Sequence, residues 1–357
     1  MDKGKKITVI VASAALLLLS GLFVYSQYSR VVNSKYLDES YYFEKMLVYM
    51  LFGIIGAAAV YFLSPQIEIK KKMLLACILI AIAAALSLLP SELPFFFSVS
   101  GIRYIEVFFI RFRTSTLSII ILLFAFVLMQ GKLPANSRYT FPIMSGLSIL
   151  FIMIIAVDGN AGNIFIATLL FSAMLPWRKG KHTLIYMGSL AIYGVVIVGY
   201  YFLKLEQDIQ NISVWMDPYQ YAQGKGYMKI QDFEIMKTAL LIGRSSYANK
   251  FSGEILPTIL ILFGWSVFAV ILGLLLLMIW NMFRLTSGIE GIFSKKLAFS
   301  ITIYILIKVI FCFLVFFNLL PFFSSGYLPF VGYGAEIILD IILMGIYIHC
   351  CHDNINQ

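Results

Sequence analysis

The strongest constraint on how this chain can fold is its succession of long apolar runs. They lie at about 7–26, 45–64, 73–90, 114–130, 139–157, 161–177, 183–203, 255–283, 297–320 and 332–349. A helix crossing hydrocarbon about 30 Å thick needs roughly 20 apolar residues at 1.5 Å rise, and these runs have that length. They lack the period-two alternation of a barrel strand, which leaves helices as the spanning element. The chain is 61% hydrophobic and 13% charged, against roughly 25% charged in soluble domains. Lipid is therefore the solvent for most of its surface. The expected fold is an all-α integral membrane protein with about ten transmembrane helices. Residues 1–357 read as a single polytopic domain, with one long polar loop at 204–254 containing short helices. The boundary inside 139–177 is the faintest, because only Asp158-Gly159-Asn160-Ala161-Gly162 separates two runs.

Charge sets the orientation. Lys and Arg concentrate in alternate short connections, at Lys3–Lys6, Lys70–Lys72, Lys132–Arg138, Arg178–Lys181, Arg284 and Lys295–Lys296. The positive-inside rule places these, and both termini, in the cytoplasm and the 204–254 loop outside. The interval 91–113 runs against the bias with Arg103, Arg111 and Arg113. The net charge of +9 is spread over loop ends, which suits anionic lipid headgroups and argues against nucleic acid. Cys77 and Cys312 lie in spans and Cys350 and Cys351 end the last one, so no external disulfide or zinc-type spacing is offered. Residues 1–26 read as a retained signal anchor, since the apolar run is long and has no convincing cleavage site.

Two outer intervals carry most of the remaining information. The stretch 91–113 mixes aromatic residues with three arginines, a composition for headgroup depth. In 204–254, six basic residues balance six acidic ones, which suits a structured loop better than a linker. Asp217-Pro218 signals a turn with Pro218 opening a short helix. Gly224 and Gly226 flank Lys225 and permit a tight bend. From Tyr227 to Leu241, Met228, Phe233, Ile235, Met236, Leu240 and Leu241 suit an amphipathic helix that Gly243 would stop.

The order Trp215, Asp217, Pro218, Gly224, Gly226, Tyr227, Gly243 resembles the extracytoplasmic loop of the SEDS family (FtsW, RodA and SpoVE), whose members carry Trp-x-x-Pro, then Gly-x-Gly-Tyr-Gln, then a helix ending in glycines. Met228 stands where Gln is usual. A second match is Leu328-Pro329-Phe330-Val331-Gly332-Tyr333-Gly334 before the last span, similar to the family's Leu-Pro-Phe-Ile-Ser-Tyr-Gly. Weaker echoes are Tyr41–Tyr49 at the second span and Gly101-Ile102-Arg103-Tyr104. The resemblance covers nearly the whole chain.

It implies a peptidoglycan glycosyltransferase in the bacterial plasma membrane, polymerising lipid II at the outer face beside a class B penicillin-binding protein. Such a site needs cationic groups on the diphosphate leaving group and a carboxylate to deprotonate the attacking hydroxyl. Arg103, Trp215, Asp217, Lys225, Tyr227, Arg244 and Lys250 are the candidate substrate-binding residues. No cofactor is called for with certainty. A divalent cation could bridge the phosphates, and the sequence names no ligands for it.

The chain also departs from the pattern. Registering the family's Glu-x-Gly glycine on Gly264 puts Gly253 at the position of its catalytic Asp, with Glu254 one residue later. Glu254 is the candidate base, its longer arm offsetting the slip in part; it also reads as a helix cap. Asp217 and Asp232 are the next carboxylates. The family's Gln-Pro-Ser-Glu-Leu-x-Lys reads here Arg113-Thr114-Ser115-Thr116-Leu117-Ser118-Ile119, without the acid or the lysine. New intramembrane charges stand at Lys308, Glu336 and Asp340, either pairing to hold the last two helices or lining a cavity. Two other functions stay open: a catalytically silent scaffold that binds a penicillin-binding protein or lipid-linked substrate, and a lipid-linked precursor flippase. The absence of an inverted repeat weighs against the flippase.

Overall fold

The structure, a computed structural model, describes residues 3–31, 39–63, 71–89, 93, 95–99, 102–107, 110–132, 139–157, 161–175, 212–224, 226–243, 255–320, 327–332 and 334–352. Residues 1–63, 206–289 and 308–357 form one compact unit, and 64–205 with 290–307 form a second. The interval 183–203, read as a span, lies outside the described residues.

The first unit is built on α1 (Lys3–Val31) and α2 (Glu39–Leu63). With them are a loop helix (Gly226–Thr238), a long helix (Ile255–Ser287), the end of the penultimate helix (Ile292–Phe316) and the last helix (Glu336–His352). α1 packs on the long helix, with Phe23 and Phe263 ring centroids 5.0 Å apart. α2 packs on the last helix so closely that a Cβ on Gly345 would lie 2.6 Å from Ala57 Cβ. Small residues buy such approach where helices cannot rely on water to drive them together. Leu18, Leu51 and Trp280 point outward, 72%, 57% and 63% exposed, as lipid-facing side chains do.

The second unit contains α3 (Lys71–Leu88), strands β1 (Phe96–Val99), β2 (Ile102–Val107) and β3 (Ile110–Arg113), then α4 (Thr114–Lys132), α5 (Thr140–Ala156) and α6 (Ala161–Met174). Its core is a triangle of Phe126, Phe151 and Phe171, with centroids 5.4 to 6.2 Å apart. The three strands form an antiparallel meander, in which Val99 pairs with Ile102 and Val107 with Ile110. This sheet is an addition to the all-α expectation. Its β-branched and aromatic residues, and the Ser100-Gly101 turn signal, favour hairpins over a headgroup-level coil. Glu106 and Arg111, cross-strand partners, make an ion pair of 3.0 Å.

Among the described residues, four helical segments are long and apolar enough to cross a membrane: Gly4–Phe23, Thr114–Gly131, Leu256–Ser287 and Ile292–Phe316. Met73–Leu88, Thr140–Ala156 and Ala161–Met174 are shorter and equally apolar in character.

Candidate functional site in the long loop and the motif turn

Residues 212–216 are helical and lead into a 3₁₀ turn at Pro218–Tyr221. The Asp217 carboxylate caps that turn, its Oδ1 accepting from the Tyr219 amide at 3.2 Å, and Pro218 supplies the fixed φ its first position wants. The Gly224 amide then donates to Tyr221 O and the Tyr227 amide to Gly224 O. The loop helix starts at Gly226, where a Cβ would lie 2.2 Å from Pro218 O and 2.9 Å from Tyr221 O. Only glycine permits this contact, so the Trp-x-x-Pro and Gly-x-Gly elements are two halves of one packed turn.

The loop helix buries Gly226, Lys229, Asp232 and Ile235, spaced by three. Lys229 and Asp232 are 3% and 8% exposed. The Lys229 Nζ donates to Val315 O at 3.4 Å, and the Trp215 indole Nε1 donates to Asn318 O at 2.9 Å. Both acceptors belong to the end of the penultimate helix. That helix closes as a Schellman motif: Asn318 has φ 58°, its amide bonds Val315 O, and the Leu319 amide bonds Leu314 O. A cation is favoured there by the negative end of the helix dipole. Tyr227 is exposed, and Lys237 bonds Glu234 at 3.2 Å. The Glu234 carboxylate holds the Lys237 ammonium above its ordinary 10.5.

The buried face therefore differs from the apolar face read in the sequence. The helix ends at Thr238 rather than at Gly243, and Leu240 and Leu241 are exposed. Beyond it the chain runs beside a break in the long helix. Gly264 there has φ 80° and ψ −176°. The Trp265 and Ser266 amides, freed by the break, donate to Leu240 O and Leu241 O at 3.0 and 2.9 Å, and the Gly243 amide donates to Phe263 O at 3.3 Å. A Cβ on Gly264 would sit 2.5 Å from Leu240 O.

Residues 328–332 of the second motif form a buried turn. Val331 N–H bonds Leu328 O at 3.0 Å, Pro329 precedes Phe330, and Phe330 has φ 62°. Asp340 Oδ2 accepts from the Phe330 amide at 3.0 Å. The Ser20 hydroxyl of α1 grips Gly332 on both sides, donating to its carbonyl at 2.7 Å and accepting from its amide at 2.8 Å. Lys308 lies 4.9 Å above the Tyr327 ring and interacts electrostatically with Asp340, as does Glu336. The intramembrane charges thus converge on the motif turn.

In the second unit, Arg103 of β2 donates from its guanidinium to the carbonyls of Ser87 and Leu89, at the end of α3. Its own carbonyl accepts from Thr114 Oγ1 at 3.2 Å. Lys225, Arg244, Lys250, Glu254 and Tyr333 lie outside the described residues.

Residues 7–354 match the model of the FtsW, RodA and SpoVE family of cell cycle proteins. The chain belongs to the FtsW/RodA/SpoVE family. It is accordingly a multi-pass membrane protein. Its fold resembles that of the rod-shape-determining protein RodA of Thermus thermophilus, with a TM-score of 0.65 at 13% identity, covering 97% of this chain and 96% of that one. A mutant of the same protein gives 0.64 at 12% identity, with 96% of each chain covered. A chain from a peptidoglycan synthase complex, described for its coordination of polymerization and crosslinking, gives 0.72 at 15% identity over 98% of this chain and 97% of that one. No curated protein sequence matches.

In this FtsW/RodA/SpoVE protein the start of α4 is rich in hydroxyls. Thr114, Ser115, Thr116 and Ser118 are buried there. The Asn163 amide donates to Ser115 Oγ at 2.6 Å, and Ser118 Oγ lies 3.2 Å from Ser87 Oγ. Small neutral hydroxyls and an amide therefore satisfy one another in this buried stretch. Among the described residues, no group of three or more His, Cys, Asp or Glu converges as a metal site would require. The buried Lys229 and Asp232 are the feature that hydropathy reading missed as a pair. Their spacing of three, immediately after Gly226-Tyr227, was the available signal.

Proposed function

We propose that this family member is a peptidoglycan glycosyltransferase, polymerising lipid II at the outer face of the plasma membrane beside a class B penicillin-binding protein. Its termini lie in the cytoplasm and its 204–254 loop outside. The observation that carries this reading is the family match over 7–354, together with a loop whose matching residues form one packed turn. A sugar hydroxyl of one substrate attacks the anomeric carbon of the other, the hydroxyl proton goes to a carboxylate, and the diphosphate leaves against cationic groups. Glu254 is the base in this reading, and Lys225, Arg244 and Lys250 of the same loop are the cations that steady the diphosphate. Trp215 and Asp217 act by shaping the loop. The contacts of Arg103 with two backbone carbonyls favour a positioning role for it.

A second reading, the silent scaffold, is favoured by the buried hydroxyls at 114–118. Full-length protein given labelled lipid II, alone and with class B penicillin-binding proteins, separates the two. Glycan strands support the enzyme. A stable complex that forms no strands with any partner supports the scaffold.

A further inference from the structure

Residues 308–318, the end of the penultimate helix with its closing turn, touch both sequence motifs of the chain. On one side, Cys312 Sγ donates to Tyr327 O at 3.4 Å, and the Lys308 ammonium lies over the Tyr327 ring at the entry to the motif turn. On the other, the Lys229 ammonium donates to Val315 O and the Trp215 indole to Asn318 O. Val315 follows Cys312 by less than one helical turn. The loop and the motif turn, far apart in sequence, therefore bear on one short piece of helix.

The downstream end of the loop reaches the same piece by a second route. Phe268 of the long helix packs on Phe313 and Phe316 with ring centroids 5.6 and 5.7 Å apart, and on Trp265 at 5.3 Å. The Trp265 amide in turn donates to Leu240 O. Closely packed rings of this kind transmit a displacement rather than absorb it. The loop helix is thus fastened ahead of its start, along its buried face and beyond its end.

Lys229 is the contact that a helix docked by apolar packing alone would not need. It is 3% exposed, on a helix whose Lys237 stays at the surface. Ordering and desolvating an ammonium opposes folding, and a methionine of similar length would fill the same space. What the lysine adds is direction. Its charge is drawn to the carbonyl end of the penultimate helix, which fixes the rotation and depth of the loop helix there. We infer that Lys229 is a positioning residue: it registers the loop helix on residues 308–318 and through them couples the 204–254 loop to the motif turn at 328–332. Its bearing on the reaction rests on the polymerase reading, in which the same loop supplies the base and the cations. A loop out of register would hold those groups away from the bond they act on.

The test uses full-length protein in nanodiscs and amide hydrogen exchange read by mass spectrometry, which reports local opening. Lys229→Met is expected to speed exchange about tenfold or more at 226–238 and at least about threefold at 327–332. Exchange at 344–352, the far end of the last helix, should not change. Lys229→Arg keeps a charged donor and should stay within about threefold of the wild type at both places. Lys237→Ala, on the exposed side of the same helix, should leave 327–332 untouched. Lys229→Gln carries the same two-site prediction in milder form should Lys229→Met not fold. Loosening confined to the loop, or equal loosening of 327–332 by Lys237→Ala, overturns the coupling. Strand synthesis from labelled lipid II, with a class B penicillin-binding protein, is measured on the same preparations. Lys229→Met should lower it about tenfold at saturating substrate with the half-saturating concentration unchanged, and Lys229→Arg should restore it. Two-site loosening with undiminished synthesis overturns the positioning role. Two-site loosening in a protein whose wild type makes no strands sinks the polymerase reading and supports the coupling.

Discussion

The Asp340 carboxylate accepts a hydrogen bond from the Phe330 amide at 3.0 Å, so an acid in the last helix holds a non-glycine residue at φ 62°. Such a backbone costs a non-glycine residue roughly 1–2 kcal/mol. Two things offset it here: the bond from Asp340 and the complete burial of the phenyl ring.

Removing either charge near this turn should expose the coupling. Lys308→Met or Asp340→Asn alone is expected to cost about 3–5 kcal/mol, because each leaves a buried partner uncompensated. Combined with Lys308→Met, Asp340→Asn should recover part of the loss, since the amide oxygen still accepts from Phe330. Thermal unfolding in detergent, analysed as a double-mutant cycle, checks this. Strict additivity would contradict the pairing.

At Asn318 the same arithmetic gives the opposite sign. Its Oδ1 is buried without a hydrogen-bond partner among the described residues, a penalty of about 1–3 kcal/mol. Glycine at this φ of 58° costs only about 0.5–1 kcal/mol of extra chain entropy. Asn318→Gly should therefore raise the melting temperature slightly. The bond from Trp215 survives, since its acceptor is the backbone carbonyl.

Trp215→Phe keeps an aromatic ring and loses the bond to Asn318 O. The expected cost is about 1 kcal/mol, confined to the loop. Limited proteolysis should cut faster near 215–225 while the global unfolding temperature scarcely moves.

Gly264→Ala meets both obstacles at once, a φ of 80° and a backbone oxygen 2.5 Å from the new Cβ. Straightening the helix would strand the Leu240 and Leu241 carbonyls. We expect loss of folded protein on expression. An equivalent yield, with unaltered protease sensitivity at 240–243, would show that the break is not fixed by glycine.

Much of this architecture was legible in the sequence because lipid imposes a length rule on apolar runs and because the loop motif has a glycine, Gly226, that no other residue can replace. Its spacing from Pro218 reports a contact. The sheet was not legible, since Ile102–Val107 is short and its aromatic and arginine residues also suit the headgroup region. Nor was the buried face of the loop helix. Hydropathy assigns Lys229 and Asp232 to water, whereas the end of the penultimate helix supplies backbone acceptors that let Lys229 be buried. Asp340 was legible as an intramembrane acid, yet its bond to Phe330 depends on a positive φ that composition does not reveal.

The most direct test of the polymerase reading is glycan-strand synthesis from labelled lipid II by the wild type and by Glu254→Gln, each with a class B penicillin-binding protein. Strands from the wild type and none above background from a folded Glu254→Gln protein are predicted, because the amide cannot accept the hydroxyl proton. No strands from the wild type with any partner would contradict the enzymatic claim itself, and equal synthesis by both proteins would remove Glu254 from the mechanism.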